Sequence, residues 1–245
     1  AALISFLGAR GIRQAVEDSS GNAGASFAAY AARAGIQATV FLPESASGPK
    51  RRQIEAYRAV LQPVPGPRSE ATVAAERTAQ SGAAYASHAY LPFNLAGYAT
   101  AAYEVVEQLG TDPGALVVPA GQGGLLLGLS GGFDALRAAG RIRTSPVLIA
   151  VQAAACAPLA AYAAMGPSGL GMVTEGATVA EGVWVRSPLR LQSVLAAVQA
   201  SGGTVLAVDE SDILPGRDSL ARLGFYVEPT SALVWRALHD CLSGL

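Results

Sequence analysis

The chain has 245 residues, of which 51% are hydrophobic and 14% charged, and its formal net charge is −1. That composition excludes a disordered polymer, and the near-neutral balance gives no electrostatic footing for nucleic acid or an anionic membrane. The length suffices for one large domain or two small ones around a sizeable core.

The opening stretch AALISFLGARG has no basic residue ahead of its apolar run. It reads as a helix ended by Gly8 or Gly11, and not as a signal peptide. Strand and helix patterns then alternate. Strands are expected at 13–17, 38–42, 59–64 and 83–87, and helices at 23–34, 49–58, 69–80 and 95–109 between and after them. Further on, strands are expected at 115–119, 147–152, 204–208 and 225–227, with helices at 125–139, 189–200, 219–223 and 230–242. Gly35, Gly82, Gly110 and Gly140 each follow a helical stretch, as stop signals do, and Pro49 suits a first helical turn. The pattern predicts an α/β fold with parallel sheets covered by helices on both faces. Two looser stretches interrupt it, 64–71 and 165–182, and 87–94 reads as a hinge. The expected division is a smaller N-terminal lobe over 1–92 and a larger lobe over 93–245.

No apolar run reaches the roughly 18 residues of a membrane span. Cys156 and Cys241 lie far apart without metal-ligand spacing, which favours reduced thiols, a cytoplasmic protein and no metal. Lys50 is the only lysine.

Two glycine-containing loops carry the chemistry. EDSSGNAG follows the first strand, and VVPAGQGGLLLG spans the fifth strand and the start of its helix. Each places small residues between a strand's carboxyl end and a helix's amino end, where free amides and the helix dipole favour an anion. The plainer alternatives are a helix cap from Ser19, Ser20 or Asn22, and a tight turn at 121–124. Nucleotide fingerprints fail: Leu126 stands where GxGxxG needs its third glycine, and no GKS or GKT exists. Together the loops suggest a ligand with two anionic ends, or a phosphorylated cofactor beside an acidic substrate.

SSGNAG, AAYAARAGIQATVFLP, PAGQGGLLLG, VAEG and YVEPTSA, in this order and spacing, resemble the fold type II pyridoxal-phosphate enzymes. Within that group, which is tryptophan synthase beta-like, they are most similar to the threonine synthase branch. The resemblance implies a two-lobed architecture, pyridoxal 5'-phosphate as cofactor, an amino-acid substrate and a homodimer. It implies that Ser19, Ser20, Gly21, Asn22 and Ala23 wrap the substrate carboxylate, and that Asn22 also bonds the cofactor's ring hydroxyl. Gly121, Gln122, Gly123, Gly124 and Leu125 would cradle the cofactor phosphate, with Glu228 near the pyridine ring. Ser26, one turn beyond Asn22, offers a hydroxyl for a substrate phosphate, or is simply a small residue on a packed face.

The family's Schiff-base lysine is expected upstream of Ala1, in a segment like SFKDRG, and the hydroxyl partner of the pyridine nitrogen beyond Leu245. The chain thus reads as the middle of a longer enzyme. Lys50, in GPKRRQ, lies outside the family motif and reads as solvated. Where threonine synthases carry basic residues for the substrate phosphate, 87–97 offers His88, which reads as a packing or hydrogen-bonding residue, and Asn94. His239 has a surface role by default. The expected reaction is conversion of O-phosphohomoserine to threonine and phosphate. The alternatives are β-elimination from serine or threonine, and a non-catalytic cofactor- or amino-acid-binding paralogue.

Overall fold

Strand residues that are apolar on both sides must be covered on both sides, and each sheet here is flanked by helices accordingly. The computed structural model describes residues 1–19, 21–44, 46, 48–66 and 68–243. Ser20 and the side chain of Lys50, both singled out above, lie outside the described residues.

The chain forms two compact units, Ala1–Asn94 and Leu95–Leu245. The first contains α1 (Ala2–Ala9), β1 (Gln14–Glu17), α2 (Asn22–Ala34), β2 (Gln37–Pro43), α3 (Pro49–Ala56), β3 (Val60–Val64), α4 (Arg68–Gln80) and β4 (Ala84–Tyr85). Its four strands are parallel in the order β3-β2-β1-β4. Period-two alternation splits their side chains between two cores. Ala15, Val40 and Leu42 join Leu3, Phe27 and Ile54 on one face, while Val16 and Phe41 meet Ala71 and Ala75 of α4 on the other. Gly35 ends α2 in the left-handed conformation at φ 65°, and Ile36 then donates its amide to the Ala31 carbonyl at 3.0 Å.

The second unit follows α5 (Phe93–Leu109) with β5 (Ala115–Pro119), α6 (Gly124–Ala138), β6 (Val147–Ala153), α7 (Pro158–Met165), α8 (Leu191–Ala200), β7 (Thr204–Val208), α9 (Glu210–Arg222) and α10 (Pro229–Ser243). Its strands are parallel in the order β5-β6-β7. Leu148 and Ala150 pack with Leu126, Phe133 and Val194, whereas Ile149 and Val151 pack with Ile213 and Leu233. Helix α6 lies so close to α5 that a Cβ on Gly128 would stand 2.4 Å from Tyr98 Cβ, and one on Gly132 would stand 2.7 Å from the Ala99 carbonyl. No helix of the described residues is long and apolar enough to cross a membrane.

Four expectations need correction. Residues 225–227 form no strand: Phe225 donates its amide back to the Leu220 carbonyl, and Tyr226 is 87% exposed. The helix expected at 219–223 runs from Glu210, with Pro215 inside it. Burial of Ile213 and close approach of Gly216 to Trp235 of α10 offset the amide that proline lacks. Only Ala84–Tyr85 of the strand expected at 83–87 pairs with β1, extended by one bond from the Ala86 amide to the Val16 carbonyl. The stretch 165–182 is partly ordered, with 3-10 turns at Gly166–Met172 and Glu181–Val183, and α7 precedes it where no helix was expected.

Candidate functional site

In the first unit, β1 ends at Glu17, Asp18 follows, and the chain then turns into α2. Glu17, Asp18 and Ser19 are 1%, 6% and 4% exposed. Gly21 is the N-cap residue of α2, and no described side chain caps the helix. The Ser19 hydroxyl instead accepts the Gly21 amide at 3.3 Å, folding the loop on itself. The first-turn amides of a helix have no intrahelical acceptor. The loop lies directly on the helix: a Cβ on Gly24 would stand 1.9 Å from the Ser19 carbonyl oxygen. Asn22 and Ser26, one turn apart, occupy the exposed side of α2, opposite buried Gly24, Ala25, Phe27 and Ala28. Ser26 is thus not on a packed face.

The two carboxylates behind this loop diverge, as neighbouring strand residues must. Asp18 accepts the Thr72 hydroxyl at 2.6 Å and the Tyr85 hydroxyl at 2.7 Å. Glu17 lies 2.8 Å from His88 Nδ1, and the His88 carbonyl accepts the Asn94 side-chain amide at 3.1 Å. His88 is therefore a hydrogen-bonding residue at 87–94. Burial raises the Glu17 carboxyl above its usual range, opposed by the His88 bond. Burial and the bond to Asp18 likewise push the Tyr85 phenol up, keeping it a donor.

A raised carboxyl means that the folded state holds the Glu17 proton more tightly than the unfolded chain. That contribution to stability is present below the unfolded carboxylate pKa and is lost as pH rises through the folded value. Glu17→Gln, neutral throughout, should gain stability relative to the parent as pH rises above the ordinary carboxylate range. Paired thermal melts from that range upward measure the difference.

In the second unit, Gly123 is the N-cap of α6 at φ 82°, and no described side chain caps this helix either. The left-handed conformation is what glycine permits there. A Cβ on Gly123 would stand 2.1 Å from Val194 Cγ2, and one on Gly121 would stand 2.8 Å from the Gly182 carbonyl. The loop 121–125 is thus pressed against protein at two points, with the uncapped amides of α6 directly after. Gln122 accepts the Leu189 amide on its side-chain oxygen at 3.0 Å. Leu125 is 37% exposed, whereas Leu126 is fully buried.

Three of the sequence motifs converge here. Gly121 abuts Gly182 of the VAEG stretch and Val183 directly after it, and the Gly182 amide donates to the Thr230 hydroxyl of EPTSA at 3.0 Å. Glu228 starts α10 from its backbone, its carbonyl accepting the amides of Ser231 and Ala232. A residue that sequence reasoning missed supports the loop. Gln152, fully buried, donates to the Ala120 carbonyl at 3.0 Å and accepts the amides of Leu159 and Ala160 at 2.8 and 3.3 Å. Its only signal was a polar residue closing the apolar run VLIAVQ. His239 stacks edge-on against Trp235, and both cysteines are free.

Comparison with known proteins gives this geometry a context. The profile of the family described as "Pyridoxal-phosphate dependent enzyme" matches residues 1–244. A threonine synthase of Mycobacterium leprae (strain TN) is 32% identical over 240 residues, covering 96% of this chain and 64% of that protein. A "Serine dehydratase-like" protein of Mus musculus is 38% identical over 125 residues, 51% of this chain and 38% of that protein. Among solved structures, a T.th. threonine deaminase superposes with a TM-score of 0.80 at 25% identity, covering 99% of this chain and 77% of that one. The chain spans between 54% and 64% of the length of the threonine synthases from M. leprae and Methanocaldococcus jannaschii.

Proposed function

Because the chain belongs to the pyridoxal-phosphate-dependent enzyme family, we propose that the intact protein is a threonine synthase. It converts O-phosphohomoserine and water into threonine and inorganic phosphate. The observation that carries the cofactor assignment is the uncapped, glycine-bounded start of α6. Such a helix terminus suits a phosphate dianion without help from lysine, so the residues present fit the phosphate end of the cofactor. The substrate assignment leans on likeness to a threonine synthase along 96% of the chain.

When bound, pyridoxal phosphate supplies an electron sink for negative charge at the substrate's α-carbon and then its β-carbon. In this proposal the protein's task is to hold and orient. Gly121, Gln122, Gly123, Gly124 and Leu125 receive the cofactor phosphate on their amides, and Glu228 lies toward the ring. Asn22 bonds the ring hydroxyl without adding a charge. Ser19, Ser20, Gly21, Asn22 and Ala23 receive the substrate carboxylate, and Ser26 meets the substrate phosphate. The cysteine usage leads us to propose a cytoplasmic protein, and the family likeness a homodimer, which light scattering on the intact protein tests.

The competing reading is β-elimination from serine or threonine. Besides the mouse relative, one observation favours it: the Asn94 amide is committed to the His88 carbonyl, at a place where a basic group was expected for a substrate phosphate. Assays on the full-length holoprotein separate the two. We expect phosphate release from O-phosphohomoserine to exceed keto-acid formation from threonine. Keto acid without phosphate release reverses the assignment.

A further inference from the structure

We propose that Asp18 is a positioning residue for the amino-acid ligand. Its carboxylate, shared between Thr72 and Tyr85, holds the 19–23 backbone in the shape that receives a ligand carboxylate. The inference rests on the substrate-loop reading above and deepens it.

The argument begins with an electrostatic oddity. An anion-receiving loop is best served by neutral or positive surroundings, yet the residue just before Ser19 is a buried acid. Burying a carboxylate is costly unless its oxygens are fully bonded. Here both are, at 2.6 Å to the Thr72 hydroxyl on α4 and 2.7 Å to the Tyr85 hydroxyl on β4. Hydroxyl donors on a carboxylate make short, strong, directional bonds. The tip of β1 is thereby tied to two other elements immediately before the chain must turn.

Two more constraints act on the next few residues. Ser19 Oγ accepts the Gly21 amide, and the Ser19 carbonyl rests where a Gly24 side chain would be. The described residues at this turn are held from three directions, as a preorganised binding site requires. Asp18 is the one of the three that carries a charge opposed to the ligand, so geometry is what it contributes.

That opposition makes the proposal testable by a near-isosteric change. Asp18→Asn removes a negative charge beside an anion site, so a purely electrostatic role predicts tighter ligand binding. A positioning role predicts the reverse. The introduced amide offers one acceptor where two hydroxyls donate, so both bonds lose their charge assistance and one hydroxyl must turn from donor to acceptor of the amide NH2, a reorientation that in this proposal shifts the loop.

The measurement is calorimetric binding of O-phospho-L-homoserine and of L-threonine to the full-length holoprotein, with cofactor content and Tm followed alongside. We expect Asp18→Asn to raise both dissociation constants at least about 10-fold, with cofactor content falling less, since only Asn22 of this loop is assigned to the cofactor. Tyr85→Phe and Thr72→Val, which leave the carboxylate in place, should each raise them less. In the Asp18→Asn/Tyr85→Phe double variant the hydroxyl deprived of its acceptor is gone, so the two effects should combine to less than their product. Equal or tighter binding by Asp18→Asn overturns the inference while sparing the functional reading. Should Asp18→Asn fail to fold, unchanged affinity in both Tyr85→Phe and Thr72→Val overturns it. A parent protein that binds neither amino acid overturns the functional reading, and this inference with it.

Discussion

Gln152→Leu should strip the intact protein of cofactor affinity and of stability together. The leucine matches the apolar surroundings of β6, so a view based on hydrophobic burial alone predicts a neutral or favourable change. The hydrogen bonds say otherwise. Losing the side chain leaves the Ala120 carbonyl and the Leu159 and Ala160 amides without their present partner. A buried polar group left unpaired costs about 1–3 kcal/mol. A loss of about 2–4 kcal/mol in urea unfolding is expected once partial rescue by water is allowed for. The Ala120 carbonyl immediately precedes Gly121, so the loop shifts with it, and pyridoxal phosphate affinity should fall at least about 10-fold. Fluorescence titration of the apoprotein with pyridoxal phosphate measures this. Loss of stability with unchanged cofactor affinity would reduce Gln152 to a core residue.

Gly24→Ala should have the larger effect on the amino-acid ligand. By propensity the change favours helix by about 1 kcal/mol. Its Cβ, however, would stand 1.9 Å from the Ser19 carbonyl oxygen, 3.0 Å from the Ser19 carbonyl carbon and 3.4 Å from Ile54 Cδ1. A Cβ has no rotamer by which to escape, so the loop or the helix must move by an ångström or more. Misplacement on that scale costs on the order of 100-fold where geometry is critical. We expect amino-acid affinity to fall by about that factor while cofactor content falls less, since the cofactor phosphate is assigned to 121–125 and only Asn22 of the 19–23 loop is assigned to the cofactor. Affinity within a few-fold of the parent would show that the 19–23 loop does not bind the ligand.

What was legible in the sequence was what local patterns control. Parallel strands such as Ala115–Pro119 and Thr204–Val208 stand where their apolar runs place them, each paired along its length with the buried central strand β6. Both glycine loops follow strands and open helices, because chain order alone puts them there. What was not legible depends on partners distant in sequence. Glu17 and Asp18 read as polar loop residues until Thr72, Tyr85 and His88, 54 to 71 positions away, are seen beside them. Gln152 reads as the frayed end of a strand until its three backbone partners appear. Pro215 points to a break, yet packing of α9 on α10 overrides it. The run FYV at 225–227 has strand character, but it connects two helices and ends at Pro229, with its aromatic side chains exposed.

Both loops owe their proposed use to backbone amides and not to charged side chains, which is why a chain with a single lysine can offer two anion sites. The most direct test is a crystal structure of the full-length protein with pyridoxal phosphate and O-phospho-L-homoserine bound. The account predicts cofactor phosphate oxygens about 2.7–3.2 Å from amides of residues 121–125, and the amino-acid carboxylate at similar distances from amides of 19–23. A cofactor phosphate gripped by side chains elsewhere, with the start of α6 left to solvent, would contradict it.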